Sequence, residues 1–242
     1  MTALFVHGVP DTHRVWNRIR AELGRDDVVA VDLPGFGAPV PDGFDATKEA
    51  YAAWLTTEVE RLAADGPVDL VGHDWGGNLV QRVASLRPEL VRTVALGGCP
   101  VDEQYTWHEM AQLWQTPGVG EHVMDAMTPE ALSAFLTTEV DAEAAAEASA
   151  AVDDTMKRCI LSLYRSAVTV GAEWQPAVDA VGGRFPALVL WGRGDTYVTT
   201  AFSERLAQRL HAELVVFECG HWWPYREPAA SAAALERLWA RG

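Results

Sequence analysis

The chain has 242 residues, 49% hydrophobic and 22% charged, which indicates one sizeable globular domain rather than a disordered or fibrous chain. Its net charge of −15 argues against nucleic acid and acidic membranes as partners, because both would repel it. No apolar run approaches the ~20 residues of a membrane span, and no signal peptide is recognisable, so we expect a cytoplasmic protein. The three cysteines are widely spaced, which fits a reducing compartment without disulfides.

Six short apolar runs follow one another along the chain, separated by longer segments. They cover residues 3–6, 28–31, 68–71, 93–96, 187–191 and 214–217. Runs with so little polar alternation are typical of strands buried on both faces of a parallel sheet. Most intervening segments carry apolar residues at helical spacing, as in the segment that Asp11 or Thr12 could cap. The sequence therefore predicts an α/β fold, a sheet of about six strands with helices on both faces.

The alternation breaks once, between residues 100 and 184. This stretch has no convincing strand but several helix-like pieces, including an alanine-rich acidic part at 141–154 that we expect to be an exposed helix. We interpret residues 100–184 as a helical cap inserted over the sheet. The core domain then comprises residues 1–99 and 185–242.

Chemistry is expected just after the strands, because ligands of open parallel sheets bind beyond the carboxyl ends of the strands. The third run leads into GHDWGG (residues 72–77), where glycines lie two residues before and after Asp74. Such a strand-to-helix elbow turns sharply and lifts its central side chain into the cleft. The alternative is that Asp74 merely caps the following helix.

Two later turns favour the catalytic interpretation. Asp195 follows the fifth run and His221 follows the sixth. Nucleophile, acid and histidine then occur in the chain order that elbow-type hydrolases use. Either residue alone could be a helix cap or a loop histidine, but all three at matching strand ends are hard to explain structurally.

Five motifs together carry a resemblance to a known family. They are HGVPDTHRVW (7–16), DLPGFG (32–37), GHDWGG (72–77), LVLWGRGD (188–195) and GHWWPYREP (220–228). With them the chain resembles the α/β-hydrolases, in the branch of epoxide hydrolases and haloalkane dehalogenases. Relatives usually have two further strands at the start, so we expect the sheet to lack an N-terminal edge hairpin. Strand 28–31 would then be an edge strand, and dimerisation is one way to protect it.

The resemblance implies that Asp74 is a nucleophile that forms an alkyl ester with substrate carbon. His221, oriented by Asp195, would then activate water as a general base, and the backbone N–H groups of Val9 and Trp75 would form the oxyanion hole. These roles are complete without a metal or an organic cofactor, and no metal-binding motif is apparent.

The substrate class depends on how the leaving group is held. An opening epoxide needs a proton donor, for which the resemblance points to cap tyrosines; Tyr164 in LSLYRSA matches one position, and Tyr105 is a possible second donor. A departing halide needs N–H donors, which Trp75 and Trp114 could supply. Val9 stands where many dehalogenases have asparagine, so that amide is missing. We favour an epoxide and keep a haloalkane as the alternative.

The expected substrate is small, neutral and largely apolar, and it would react with water. The residues that we expect to line its pocket are His7, Trp75, Trp114 and Trp222. A further alternative is a ligand-binding protein that keeps the fold without catalysis, since fold alone does not determine function. The intact set of Asp74, Asp195 and His221 argues against it.

Overall fold

The computed structural model describes residues 2–242, and its centre is a six-stranded sheet in which all neighbouring strands are parallel. The strands are β1 (Ala3–Val6), β2 (Val28–Val31), β3 (Val68–His73), β4 (Val91–Gly97), β5 (Ala187–Gly192) and β6 (Glu213–Phe217), in the order β2-β1-β3-β4-β5-β6. The predicted sheet is confirmed. Strand β3 continues beyond the predicted end, because Gly72 and His73 pair with β4.

The winding of the sheet changes direction at β1. Its neighbours β2 and β3 lie on opposite sides, so that Val6 pairs with both Val31 and Gly72. The loops that leave β1 and β3 therefore start side by side, and such a switch point is where open α/β sheets bind ligands. Strand β2 lies at the edge, as predicted, and its residues are half-buried.

Helices cover both faces of the sheet. One set includes α1 (Asn17–Glu22), which packs against α12 (Pro228–Trp239); α12 also contacts β4 and β5. The other set includes α2 (Lys48–Leu62) and α9 (Val170–Asp179), which both pack against α3 (Trp75–Leu86). The helices of this core are α1 (Asn17–Glu22), α2 (Lys48–Leu62), α3 (Trp75–Leu86), α10 (Thr200–Leu210), α11 (Trp223–Arg226) and α12 (Pro228–Trp239). Within residues 2–242 no helix combines the length and apolar character needed to cross a membrane.

The segment between β4 and β5, all of it described, is helical and contains no strand. Its helices are α4 (Glu109–Gln115), α5 (Val119–Ala126), α6 (Pro129–Leu136), α7 (Ala142–Ser149), α8 (Asp154–Ser166) and α9 (Val170–Asp179). Ion pairs tie it to the core, including Arg18 with Asp141 at 2.6 Å and Arg205 with Asp102 at 2.8 Å. The acidic stretch 141–154 is not simply an exposed helix, because α7 packs on α6 and buries Ala144, Ala145 and Ala148.

Candidate active site

Asp74 occupies the turn between β3 and α3 and has a left-handed backbone conformation, with φ of 52°. A non-glycine residue rarely adopts this region, and such strain is typical of functional turns. The turn needs the flanking glycines: a Cβ on Gly76 would lie 2.0 Å from the Val6 carbonyl oxygen, and one on Gly72 would lie 2.6 Å from the Gly76 oxygen. The side chain of Asp74 does not cap α3, so the capping alternative is wrong.

The loops after β5 and β6 bring Asp195 and His221 to Asp74. Nδ1 of His221 donates to Oδ2 of Asp195 at 2.8 Å, and Nε2 of His221 lies 3.7 Å from Oδ2 of Asp74. The other oxygen of Asp195 accepts the backbone N–H groups of Tyr197 and Val198, each at 2.9 Å. Asp195 is therefore held on both oxygens, and it orients the imidazole toward Asp74.

Two backbone donors converge on the carboxyl group of Asp74. The N–H of Val9 donates to Oδ1 at 2.7 Å, and the N–H of Trp75, the first residue of α3, lowers the pKa of the same carboxyl group. The loop after β1 can approach so closely only because residue 8 is glycine, where a Cβ would lie 2.3 Å from Oδ1 of Asp74. This pair of donors is the one predicted for an oxyanion hole.

Burial and charge shift the protonation of the cluster. Burial raises the pKa of Asp74, while the charge of His221 and the two N–H donors oppose this shift. Burial lowers the pKa of His221, but the charge of Asp195, their hydrogen bond and the charge of Asp74 outweigh it and raise the pKa to about 9. At neutral pH the imidazole is therefore protonated, and it lies between the side chains of Asp195 and Asp74.

A cavity of about 440 Å³ opens above Asp74. That volume is in the range of small-molecule sites. The helices between β4 and β5 supply much of its apolar wall. Its lining residues are Val9, Pro10, Asp74, Asn78, Pro100, Tyr105, Trp107, His108, Met110, Trp114, Val123, Ala126, Met127, Ala131, Leu132, Phe135, Tyr164, Tyr197, Val198, His221 and Trp222.

Both predicted tyrosines line this cavity. Tyr164 on α8 is buried, with its ring 5.6 Å from that of Trp75 and 4.8 Å from that of Trp114. Burial and the charge of Asp74 raise the pKa of Tyr164 well above its ordinary value, so its hydroxyl stays protonated. Tyr105 donates its hydroxyl to the backbone oxygen of Tyr197 at 3.2 Å.

Of the four residues predicted to line the pocket, Trp114 and Trp222 do so and the other two lie outside the lining. His7 is fully buried beneath the site, where its Nδ1–H donates to the Gly8 oxygen and its Nε2 accepts the Leu33 N–H. Both ring nitrogens are thus used by the backbone, and burial lowers the pKa of His7 to about 4. The indole of Trp75 is buried and stacks on Trp107 at 5.7 Å, which leaves its backbone N–H as its contribution to the site.

Most of the lining residues have no counterpart in the sequence prediction, among them Trp107, His108 and Tyr197. The rings of Tyr197 and His221 lie 5.2 Å apart. The position of Tyr197, two residues after Asp195, is the feature of the sequence that could have indicated this. His108 caps α4 by accepting the Ala111 N–H, and burial lowers its pKa to about 4. Nothing in the sequence around Trp107 indicates that it lines the cavity, apart from its being an aromatic residue. In the described part of the chain, no three His, Cys, Asp or Glu residues are grouped to hold a metal ion.

Comparisons with known proteins bear on the family and the fold of the chain. The family model described as "Alpha/beta hydrolase family" matches residues 3–234. The chain is 30% identical to Lipase LipV of Mycobacterium tuberculosis, over 96% of the chain and 90% of that protein. It is 35% identical to bifunctional epoxide hydrolase 2 of Sus scrofa, over 37% of the chain and 17% of that protein.

A solved structure supports the same fold. The haloalkane dehalogenase DbeA from Bradyrhizobium elkani aligns with a TM-score of 0.82 at 22% identity, covering 100% of this chain and 91% of that one. The elbow, the ordered acid and histidine, and a family match over nearly the whole sequence lead to one conclusion. This chain belongs to the α/β-hydrolase family.

Proposed function

We propose that the protein is a hydrolase that forms a covalent ester between Asp74 and a substrate carbon, and that its substrate is an epoxide with an apolar substituent. The observation that carries this proposal is the shared cavity of Asp74 and two phenols, Tyr164 and Tyr105. A carboxylate can displace at a strained sp³ carbon, and the opening ring needs a hydrogen-bond donor for its oxygen. A protonated phenol is such a donor.

In the first half-reaction, Oδ2 of Asp74 is the attacking atom. Oδ1 is held by the Val9 N–H, whereas Oδ2 faces His221. A bond forms between Oδ2 and an epoxide carbon as the bond from that carbon to the ring oxygen breaks. The Tyr164 hydroxyl gives its proton to the resulting alkoxide, and Tyr105 adds a second hydrogen bond by exchanging the Tyr197 oxygen for it. The Tyr164 phenolate then regains the proton that the His221 imidazolium releases through solvent, which leaves the imidazole neutral for the next step.

In the second half-reaction, water attacks Cγ of Asp74. Ester formation removes the negative charge of Asp74, which is one cause of the raised pKa of His221. The imidazole therefore loses its proton more easily at this step and can accept one from water. The oxyanion develops on Oδ1, which already lies 2.7 Å from the Val9 nitrogen. Collapse of the adduct releases the diol and leaves one water-derived oxygen on Asp74.

The relative named as a lipase suggests carboxylic esters as another substrate class. An aspartate at the elbow does not favour this chemistry. Attack of Asp74 on an ester carbonyl would give an adduct that expels the carboxylate more readily than an alkoxide. The same carboxylate has no such disadvantage at an sp³ carbon.

A haloalkane is the second candidate, and two indoles favour it. The Nε1 atom of Trp114 is buried and lacks a hydrogen-bond partner within residues 2–242, and that of Trp75 is buried beside the Tyr164 hydroxyl, whose pKa it lowers. Indole N–H groups of this kind could hold a departing halide. Against this, Val9 offers no side-chain donor, and Trp75 itself lies outside the cavity lining.

The test is a panel of styrene-oxide-type epoxides and 1-haloalkanes assayed side by side for diol and halide. We expect diol from the epoxides, and a loss of roughly 10²-fold or more in kcat/KM for Tyr164→Phe, since one donor to the developing oxyanion disappears. Tyr225→Phe is the matched control, because its buried hydroxyl lies outside the cavity lining. Halide release without diol would favour the haloalkane, and neither product would favour a non-catalytic binding protein.

A further inference from the structure

Asp11 is a buried carboxyl group that the reaction described above does not use. The nearby turn is capped by Thr12, whose hydroxyl accepts the Arg14 N–H, so helix capping does not explain Asp11. Its Oδ2 accepts the indole N–H of Trp222 at 3.1 Å. Its Oδ1 has no hydrogen-bond partner in the described chain. A buried polar atom without a partner is costly, which suggests a role beyond packing.

The bond between Asp11 and Trp222 joins the two loops that form the reaction centre. Asp11 lies two residues after Val9, whose N–H holds Oδ1 of Asp74. Trp222 follows His221, and the two rings lie 5.1 Å apart in an edge-to-face arrangement. The distance between the oxyanion donor and the base is therefore set partly by this one hydrogen bond.

The charge of Asp11 also acts on the reaction centre. Burial raises the pKa of Asp11 to about 7, opposed by the Trp222 N–H; the charge of Asp74 raises it further and that of His221 lowers it. In return, the charge of Asp11 raises the pKa of His221. Tyr225 on α11 also interacts with Asp11: burial and the charge of Asp11 both raise the pKa of Tyr225.

We infer that Asp11 is a positioning residue, which holds His221 at its working distance from the Val9 N–H through the indole of Trp222. This inference rests on the proposed function. Asp11 does not have to touch the substrate for this role, and it is not among the residues that line the cavity.

Two substitutions of Asp11 separate the contact from the charge. Asp11→Asn keeps an oxygen that can accept the indole N–H but has no charge, so the pH profile of kcat should move to lower pH on the limb set by His221. Asp11→Leu removes both, and kcat should fall roughly ten-fold to a hundred-fold, the cost of a displaced catalytic group. Thr12→Ala is the control: it removes the neighbouring cap, and should lower Tm while leaving kcat unchanged.

A second measurement does not depend on turnover. The pKa of His221, followed by NMR of the labelled imidazole, should fall in Asp11→Asn relative to the wild-type protein. If the pKa stays the same and Asp11→Leu turns over at the wild-type rate, the inference is wrong. If the wild-type protein hydrolyses neither substrate class but the NMR shift occurs, the proposed function fails and the electrostatic link remains.

Discussion

Replacing His221 by glutamine should stop the reaction after its first half. The ester forms by attack of Asp74 on carbon and needs no base, whereas its hydrolysis needs His221 to take a proton from water. Loss of a general base slows such a step by about 10² to 10⁴, or about 3 to 5 kcal/mol of activation free energy. The imidazole lies 3.7 Å from Oδ2 of Asp74 and is held by Asp195 at 2.8 Å, a geometry that glutamine does not reproduce.

The assay is mass spectrometry of the intact protein after mixing with an epoxide. His221→Gln should gain the mass of one substrate molecule, and peptide mapping should place it on Asp74. Mildly alkaline buffer is needed, because the charge of His221 normally lowers the pKa of Asp74. His221→Gln with Asp74→Ala is the matched control and should gain no mass. Steady turnover by His221→Gln at the wild-type rate, without an adduct, would refute the two-step reasoning.

Three further predictions concern the loop, the core and the cavity mouth. Gly8→Ala should abolish turnover with an unchanged circular dichroism spectrum, because its Cβ would lie 2.3 Å from Oδ1 of Asp74; an active variant would contradict the close approach. The pKa of His7 is about 4 in the folded state against 6.5 ordinarily, so the unfolded chain binds this proton first as pH falls. Stability should therefore drop by up to about 3 kcal/mol between pH 6.5 and 4. Urea titrations should show a flatter dependence in His7→Asn, and equal slopes would refute this. Phe135 lines the cavity and is 46% exposed, so Phe135→Ala should raise KM of the order of ten-fold for long-chain 1,2-epoxyalkanes but not for propylene oxide; equal changes would contradict a tail at this wall.

The turn at Asp74 could be predicted from the sequence because its geometry is local. Buried parallel strands have continuous apolar runs, and the residues after them must meet at one edge of the sheet. Asp74, Asp195 and His221 each follow such a run, and the structure brings them together. The glycines at 72 and 76 indicate a sharp turn, because no larger residue fits at either position.

Side-chain direction could not be predicted in the same way. His7 belongs to the motif that supplies Val9, yet its ring turns inward and bonds to the backbone of Leu33. The backbone N–H of Trp75 faces Asp74, while its buried indole packs behind the lining residues Trp107 and Tyr164. A motif places the backbone, but neighbouring elements distant in sequence decide where each ring points.

The contacts of the helices between β4 and β5 are the hardest part of the structure to predict, for a related reason. Their apolar residues serve both the core and the cavity wall, and helical spacing does not distinguish the two. Trp107, for example, donates its indole N–H to the oxygen of Ala167, a contact between residues 60 positions apart. For Asp11 the sequence suggests only that it or Thr12 caps a helix, because its partner Trp222 is 211 positions away.

The central claim is that Asp74 carries the substrate as an ester, and single turnover in ¹⁸O-water tests it most directly. With enzyme in excess over epoxide, peptide mapping should find ¹⁸O in the carboxyl group of Asp74, and the diol of this first turnover should contain no ¹⁸O. Diol that carries the label while Asp74 does not would mean that water attacks the substrate directly, and would contradict the account.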